Sequence, residues 1–416
     1  MAPIPQSTFP VAGRGLVKDE PIAAGVAGDL GLIVGSLRVP LPMLGTMVFG
    51  GLRLLSLAVA AFLLRHGRFQ VRHWSLVQWT TSWDAKFYLT LTAHGYGFRL
   101  DPRPLPRGTL YPWFPGFPAA MRLIAWLPGL TLGSAGFIVT TFAGLTAAWG
   151  LTRLGMNLTG DGRVSLLIVA LWGAAPGSTV FSMLYPEALY CALAIWALVA
   201  LTSRRWLTAA VLAIAAGTVQ SEAVALIAAV MVAALCSLNS AVRGGQPVAV
   251  WWRPLAALVL APVGLLGYLG FVAVQVHRLD GWFWIESAAW YQSFDWGWGI
   301  VHNVQRVVLG WTSMAETLLV LLAVLAVLLT AWSLTEDLPP FLHVYTFAAV
   351  GLALGASETW FSCKLRFLLP AVLLTLPVAR VLARLRTSVL VLIVGVFAVT
   401  SAWIGLYLSV IAKLPP

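Results

Sequence analysis

Long apolar runs separated by short polar connections dominate the chain from Leu41 onward. An α-helix needs roughly 17 to 25 apolar residues to cross about 30 Å of hydrocarbon, and helices satisfy all backbone polar groups internally. We therefore predict an all-α polytopic membrane protein with about eleven spans. The predicted spans cover residues 42–64, 133–152, 164–182, 187–202, 206–219, 222–238, 254–275, 313–333, 341–355, 367–380 and 388–410.

Residues 112–128 form an apolar stretch that repeated prolines interrupt. Proline removes a helix hydrogen bond, so we predict a re-entrant or interfacial helix here instead of a further span. This helix falls in a predicted external loop over 65–132, and a second external loop covers 276–312. Residues 1–41 are predicted to form a cytoplasmic N-terminal arm, and 42–416 a single transmembrane domain.

Composition agrees with this assignment, since 60% of the 416 residues are hydrophobic and only 10% are charged. The mean hydropathy of +0.87 excludes a water-soluble globular protein. The net charge of +11 is spread between apolar runs instead of forming one patch. We therefore expect membrane lipids, and no nucleic acid, as partners.

The basic residues also predict the orientation of the chain. With a cytoplasmic N-terminus, nine arginines fall in the cytoplasmic connections, as the positive-inside rule requires. They are Arg153, Arg163, Arg204, Arg205, Arg243, Arg253, Arg380, Arg384 and Arg386. The opposite face receives both long loops, "YPE" at 185–187, "QSE" at 220–222 and the segment 357–366. We therefore expect a site on the external or luminal face of the cell membrane.

Asp84 is the most unusual acid on that face, because it lies among aromatic residues in "SWDAKFY". A spacing of four residues predicts one apolar stripe on a short interfacial helix, formed by Trp79, Trp83, Phe87 and Leu91. Asp84 flanks this stripe one turn from Tyr88, where partial desolvation makes a carboxylate a better base. The alternative is an interfacial aspartate without a role.

Several cations on the same face are candidates for binding phosphate. Seven basic residues lie in 65–115 against two acids, which suits either lipid headgroups or a phosphate site. Lys364 and Arg366 share one short connection, and Arg366 either binds phosphate or anchors the next helix. Glu187 and Glu222 each begin a predicted helix, where an acid either contacts substrate or only favours the helix dipole.

The second loop, 276–312, contains six tryptophans. Dense aromatic residues form interfacial belts and also the surfaces on which sugars stack, and Trp290 is a candidate for such contact. The acids and histidines of this loop lack the spacing of metal ligands, so no metal is predicted. Nucleotide-binding and hydrolase motifs are absent from the chain, so we expect no cofactor.

Four stretches of the chain resemble the PIG-V-like mannosyltransferases of the GT-C superfamily of membrane glycosyltransferases. They are "TSWDAKFYLTLTAHGYGF" at 81–98, "LYPWFPGFP" at 110–118, "LYPEALY" at 184–190 and "SCKLRFLLPA" at 362–371. "QSEA" at 220–223 departs from the family, in which an Arg- or Asn-containing turn is usual. The resemblance implies a GT-C-like helical bundle that uses a polyprenyl-phosphate sugar, usually mannose, as donor.

On this interpretation, Asp84 deprotonates an acceptor hydroxyl, and the sugar is transferred with inversion to a glycolipid or envelope glycan. The donor phosphate is expected to be held by His94, Lys364 and Arg366. Contacts to the substrates are expected from Trp83, Tyr88, Tyr96, Glu187, Glu222 and Trp290. A lipid-linked sugar is then a substrate, and no cofactor is required.

Three alternatives remain open. The donor could carry a pentose such as arabinofuranose, since the motifs do not identify the sugar. A lipid or sugar transporter is disfavoured because the chain has no internal repeat and no acid deep inside a span. A noncatalytic scaffold subunit would leave the loop residues replaceable.

Overall fold

The apolar runs fold as helices in a computed structural model that describes residues 31–34, 37–66, 74–356 and 358–415. The one sheet within these ranges is an antiparallel hairpin of β1 (Gly31–Val34) and β2 (Leu37–Pro40). Most of the predicted N-terminal arm over 1–41 lies outside the described residues. The predicted all-helical character is confirmed for the remaining described residues.

Eighteen α-helices follow the hairpin within the described ranges. In chain order they are α1 (Leu41–His66), α2 (Leu76–Thr80), α3 (Asp84–His94), α4 (Gly116–Ala125), α5 (Leu132–Thr159), α6 (Gly162–Gly173), α7 (Glu187–Thr202), α8 (Trp206–Gly217), α9 (Ala223–Arg243), α10 (Trp252–Leu260), α11 (Val263–Val276), α12 (Gly281–Trp290), α13 (Trp298–Val308), α14 (Met314–Ser333), α15 (Pro340–Gly355), α16 (Lys364–Phe367), α17 (Thr375–Leu382) and α18 (Thr387–Leu406). Short 3₁₀ turns cover Ser178–Ser182, Val248–Val250, Glu358–Cys363 and Val372–Leu374, and a π-helical turn covers Tyr407–Ile411.

Six helical segments of the described chain are long and apolar enough to cross a membrane, or seven if one bent pair counts as a span. The six are α1, α5, α9, α10 with α11, α14, and α18 with its π-turn. The bent pair, Phe361–Phe367 with Val372–Leu382, turns by 82°. Four other predicted spans correspond to shorter apolar helices, α6, α7, α8 and α15. At 1.5 Å per residue these are shorter than about 30 Å of hydrocarbon, so helix length alone does not support eleven spans.

Prolines account for several differences between predicted and observed helices. The predicted span 164–182 ends early, since α6 stops at Gly173 before Pro176. The predicted span 254–275 is divided, with Pro262 between α10 and α11. Proline lacks the N–H that a continuous helix requires, and its ring clashes with the preceding turn. Hydropathy alone did not reveal these interruptions.

Helix α5 lies at the centre of the packing, in contact with α1, α4, α6 and α7. Glycines on α5 allow this close approach. A Cβ at Gly144 would lie 2.8 Å from the ring of Phe49, and a Cβ at Gly150 would lie 2.9 Å from Trp196 Nε1. Small residues at helix interfaces let neighbouring backbones pack tightly, which is the main source of stability between apolar helices in lipid.

The proline-interrupted stretch 112–128 contains the ten-residue helix α4, about 15 Å long. Its first residue, Gly116, donates its N–H to the carbonyl of Thr218 at 2.7 Å. A Cβ at Gly116 would lie 2.7 Å from Thr218 Oγ1, so glycine permits this contact with the end of α8. Helix α4 is therefore too short to cross a membrane and packs against the helical bundle.

The prediction of one helix through Trp79, Trp83, Phe87 and Leu91 is wrong, because the chain breaks between α2 and α3. Trp83 adopts φ 56° and ψ −128° at the break. Both indoles then point to the C-terminal region: Trp79 Nε1 donates to Ser409 Oγ at 2.9 Å, and Trp83 Nε1 donates to the Ser409 carbonyl at 3.1 Å. Trp79 is fully buried, so this part of the stripe packs inside the protein.

Candidate functional site

Three charged side chains from distant parts of the chain meet at one point. Asp84 is the first residue of α3, Glu187 is the first residue of α7, and Arg366 lies on α16. Arg366 Nη2 lies 2.5 Å from Asp84 Oδ2, and Arg366 Nε lies 3.5 Å from Glu187 Oε1. The side chains of Arg366 and Glu187 are 7% and 2% exposed, whereas that of Asp84 is 27% exposed. Asp84 is therefore the most accessible member of the cluster.

Aromatic residues fix the position of the arginine. The guanidinium carbon of Arg366 lies 5.1 Å from the ring centre of Tyr185 and 4.9 Å from that of Phe367. A cation near an aromatic face is stabilised by the ring quadrupole, most strongly when water is excluded. The hydroxyl of Tyr185 also accepts a hydrogen bond from the backbone N–H of Asp84 at 3.2 Å. Tyr185 thus supports both charged partners.

The cluster retains unused hydrogen-bonding capacity. Arg366 Nε and Nη1 and Glu187 Oε2 are buried without a hydrogen-bond partner among the described residues. Buried polar groups in proteins are nearly always paired, so orphaned groups in a native structure require an explanation. Arg366 Nε still lies at ion-pair distance from Glu187, whereas Nη1 has neither kind of partner among the described residues. Such a guanidinium donor beside an accessible carboxylate is suited to an anionic ligand, since hydrogen bonds to ionised acceptors are the stronger kind.

Two further carboxyl groups lie near enough to affect this cluster electrostatically. Burial raises the pKa of Glu222, although Arg366 partly opposes this effect. Burial, with smaller contributions from the nearby Asp84 and Glu222, raises the pKa of Glu286 on α12 to about 8. A carboxyl with such a pKa is mostly protonated at neutral pH and donates a hydrogen bond. Glu286 thus brings a hydrogen-bond donor close to the charged cluster.

Tyr88 lies one turn after Asp84 on α3, as its spacing predicted. Its ring is buried and meets Phe117 edge-on at 5.4 Å between ring centres. Burial raises the pKa of Tyr88, and the carboxylates of Glu187 and Asp84 add to the effect. The phenol therefore stays protonated and is able to donate a hydrogen bond to a ligand near the acids.

Lys364 was predicted to bind phosphate together with Arg366, but its side chain does not join the charged cluster. Its Nζ donates to carbonyls near the end of α15, those of Ala353, Leu354 and Ala356, at 3.5 Å, 3.1 Å and 2.5 Å. Three carbonyls use the three donors of an ammonium group, and a cation at a helix C-terminus also favours the helix dipole. Direct phosphate contact by Lys364 is therefore not supported, and its role is to hold α16 on α15.

His94 is likewise separate from the cluster. It ends α3 ten residues after Asp84, a rise of about 15 Å, and its exposed ring stacks on Phe98 at 4.6 Å. The structure therefore does not bring His94 to Arg366, and its phosphate contact stays a prediction. Arg366 is the one predicted phosphate ligand that the structure brings to Asp84.

Trp290 and Tyr96 belong to an aromatic layer around Trp113. Trp290 meets Phe87 and Trp113 edge-on at 5.5 Å and 5.1 Å, and Phe87 stacks on Trp113 at 4.1 Å. Tyr96 donates its hydroxyl to the Trp113 carbonyl at 2.6 Å and stacks on Tyr111. Both side chains are half-buried, so each keeps some of the exposed surface that contact with a sugar requires.

Sequence reasoning did not assign two residues that the geometry includes. Tyr185 lies two positions before Glu187 in "LYPEALY", and its position in that motif was the available signal. Glu286 is an acid within a run of aromatic and apolar residues, where an unpaired charge is costly. Nothing in its local spacing relates it to Asp84, because the two lie on helices far apart in the chain.

In the part of the chain that the structure describes, no group of three or more His, Cys, Asp or Glu side chains is arranged to hold a metal ion. Comparison of the chain with known protein families and with curated protein sequences finds no match. The chemistry of the site must therefore be argued from its own residues.

Proposed function

We propose that this chain is an integral membrane glycosyltransferase. It transfers a sugar, in the first instance mannose, from a polyprenyl-phosphate donor to a lipid-linked or envelope glycan acceptor. The observation that carries this proposal is the accessible Asp84 held by Arg366, whose buried Nη1 has no hydrogen-bond partner among the described residues. These are the two groups that such a transfer needs: a base for the acceptor and a cation for the departing phosphate.

In this mechanism, the carboxylate of Asp84 takes the proton from the acceptor hydroxyl as that oxygen bonds to the anomeric carbon. The bond from this carbon to the phosphate oxygen breaks, and polyprenyl phosphate leaves. Arg366 stabilises the charge that develops on the phosphate, an effect that is largest where water is excluded. A donor phosphate that competes for Arg366 also weakens its ion pair with Asp84, which makes the carboxylate a stronger base.

A single displacement of this kind inverts the configuration at the anomeric carbon. Retention through two displacements requires a second carboxylate as a nucleophile on the opposite face of the sugar. Glu187 is the nearest candidate, but its side chain is 2% exposed and faces Arg366. Its burial supports inversion.

The proposed similarity to the GT-C transferases is supported by the way in which residues of three resembling stretches meet. Asp84, Glu187 and Arg366 come from three of the stretches that resemble PIG-V-like mannosyltransferases, and they meet within ion-pair distance. We extend the proposal to a GT-C-like bundle of about eleven membrane helices in the cell membrane. In this arrangement the four shorter apolar helices and the bent pair complete the bundle, and the site faces the external or luminal side.

The proposal is tested by donor turnover in membranes from host cells that express the chain, with membranes of the same host as control. Polyprenyl-phosphate mannose and polyprenyl-phosphate arabinofuranose are supplied separately, and mass spectrometry identifies the glycolipid product. We expect mannose transfer and release of polyprenyl phosphate. Transfer of arabinofuranose but not of mannose would change the assigned donor sugar to arabinofuranose. Movement of intact donor across the membrane without its consumption would indicate a transporter and contradict the proposal.

A further inference from the structure

A pocket of about 430 Å³ lies beside α3 and is separate from the Asp84 cluster. Its aromatic wall includes Phe87 and Trp290, and its polar rim includes Asp101, Arg103 and Arg107. Aromatic faces and guanidinium groups are thus available to one ligand. Sugars stack on aromatic rings, and arginine matches the geometry of phosphate oxygens.

Hydrogen bonds and a glycine turn hold the loop that carries the polar rim. Leu100 donates its N–H to the Gly108 carbonyl at 2.8 Å, which closes the loop at its base. Arg99 donates to the carbonyls of both Arg103 and Arg107, the latter at 2.9 Å. Gly108 has φ +73°, and a Cβ there would lie 2.5 Å from the carbonyl oxygen of Asp101. These contacts hold the backbone of Arg103 and Arg107 at the rim.

The charge of this rim is unbalanced. Three arginines of the loop accompany one acid, and Arg103 pairs with that acid, Asp101. Arg107 donates to the hydroxyl of Tyr291 at 3.2 Å, and no carboxylate of the described residues lies within ion-pair distance of it. The excess positive charge makes an anionic ligand the favoured occupant.

The pocket lies close to the proposed base. Phe87 follows Asp84 by three residues on α3, a rise of about 4.5 Å along the helix axis. The pocket and the proposed base are therefore carried by the same helix, about one turn apart.

We propose that this pocket binds the phosphate-bearing glycan headgroup of the acceptor, an inference that rests on the proposed function. Arg107 binds the phosphate, while Phe87 and Trp290 contact a sugar ring. The donor phosphate is held elsewhere, by Arg366. The site thus has two phosphate positions, one for each substrate, and the rim arginines select anionic acceptors.

The binding step is tested with mannose 6-phosphate as probe. Purified full-length protein is placed in phosphatidylcholine nanodiscs, and equilibrium binding of mannose 6-phosphate, mannose and inorganic phosphate is measured separately. We expect Arg107→Gln to weaken mannose 6-phosphate binding roughly tenfold, the loss of about one charge-assisted hydrogen bond. Arg122→Gln, at an exposed arginine on α4, is the matched control and should bind as the parent does.

Three results would contradict the inference. If Arg107→Gln leaves the binding of mannose 6-phosphate unchanged, Arg107 does not contact the phosphate. If inorganic phosphate and mannose 6-phosphate bind with equal affinity, the pocket does not contact the sugar. Loss of probe binding when phosphatidylglycerol is added to the nanodiscs identifies the occupant as a bulk lipid headgroup.

A kinetic measurement separates this inference from the proposed function. With an anionic glycolipid acceptor, Arg107→Gln should raise the acceptor KM roughly tenfold and leave the donor KM unchanged. An equal rise in donor KM would contradict the assignment to the acceptor. If the protein binds the probe through Arg107 but has no transferase activity, the pocket for an anionic sugar is supported and the proposed function is wrong.

Discussion

Lys364 and Arg366 stand two residues apart with the same charge, yet their side chains end in different surroundings. Lys364 donates to carbonyls at the end of α15, while Arg366 lies between Asp84 and Glu187. The sequence predicted phosphate contact for both. Local spacing could not separate them, since the direction of each side chain depends on which helices pack around the short helix α16.

At the same scale, Glu286 gives a prediction about pH. Its pKa is raised from 4.5 to about 8, first by burial, so folding favours the protonated carboxyl. The stability that this group contributes is fully present below its unfolded pKa and is lost as the pH rises to about 8. Glu286→Gln should therefore lose less thermal stability than the parent between about pH 6 and pH 9.

Thermal unfolding of the purified protein in detergent at both pH values measures this difference. Asp280→Asn, at an exposed acid next to the same helix, should follow the parent. If Glu286→Gln and the parent lose the same stability, Glu286 does not have the raised pKa.

At the scale of elements, the break before α3 changes the position of Asp84 within its helix. A periodic aromatic stripe predicted one continuous interfacial helix, in which Asp84 would be a mid-helix side chain. Instead, Asp84 begins α3 after Trp83, whose positive φ is a strained conformation for a bulky residue. Contacts with the distant Ser409 support this conformation, and no local pattern could have indicated them.

The contacts with Ser409 predict the effect of the substitution Ser409→Ala. The substitution leaves the indole N–H of the fully buried Trp79 without an acceptor. A buried unpaired donor costs about 1–3 kcal/mol, so the free energy of unfolding should fall by that amount. Thr400→Ala, at an exposed position of α18, is the control and should change stability little. Denaturant unfolding in detergent provides the measurement, and equal stability of the two variants would contradict the account.

At the scale of the whole molecule, hydropathy located helices well because apolar length is a property of the chain itself. Every predicted span contains a helix, but Pro176 and Pro262 shorten or divide two of them. The charged cluster was harder to predict. Asp84, Glu187 and Arg366 were each selected as candidates, but their mutual pairing depends on packing between segments about 100 to 280 residues apart.

The predicted orientation of the bundle is testable by cysteine labelling. In a Cys236→Ser background, which removes the one exposed cysteine of the described residues, single cysteines replace Lys86 and Arg204. Both positions are exposed in the structure. The loop that contains Lys86 is predicted to be external and Arg204 cytoplasmic, so a membrane-impermeant maleimide should label only the first in intact cells. Labelling of both positions from the same side would reject the predicted threading.

The most direct test of the account is the rate of sugar transfer by Asp84→Asn. Asparagine keeps the size of the side chain but removes the base, so the rate should fall roughly 100-fold or more while expression and donor binding persist. Asp280→Asn, at an exposed acid paired with Arg278, should transfer at the parent rate. A parent rate in Asp84→Asn would contradict the assignment of Asp84 as the base.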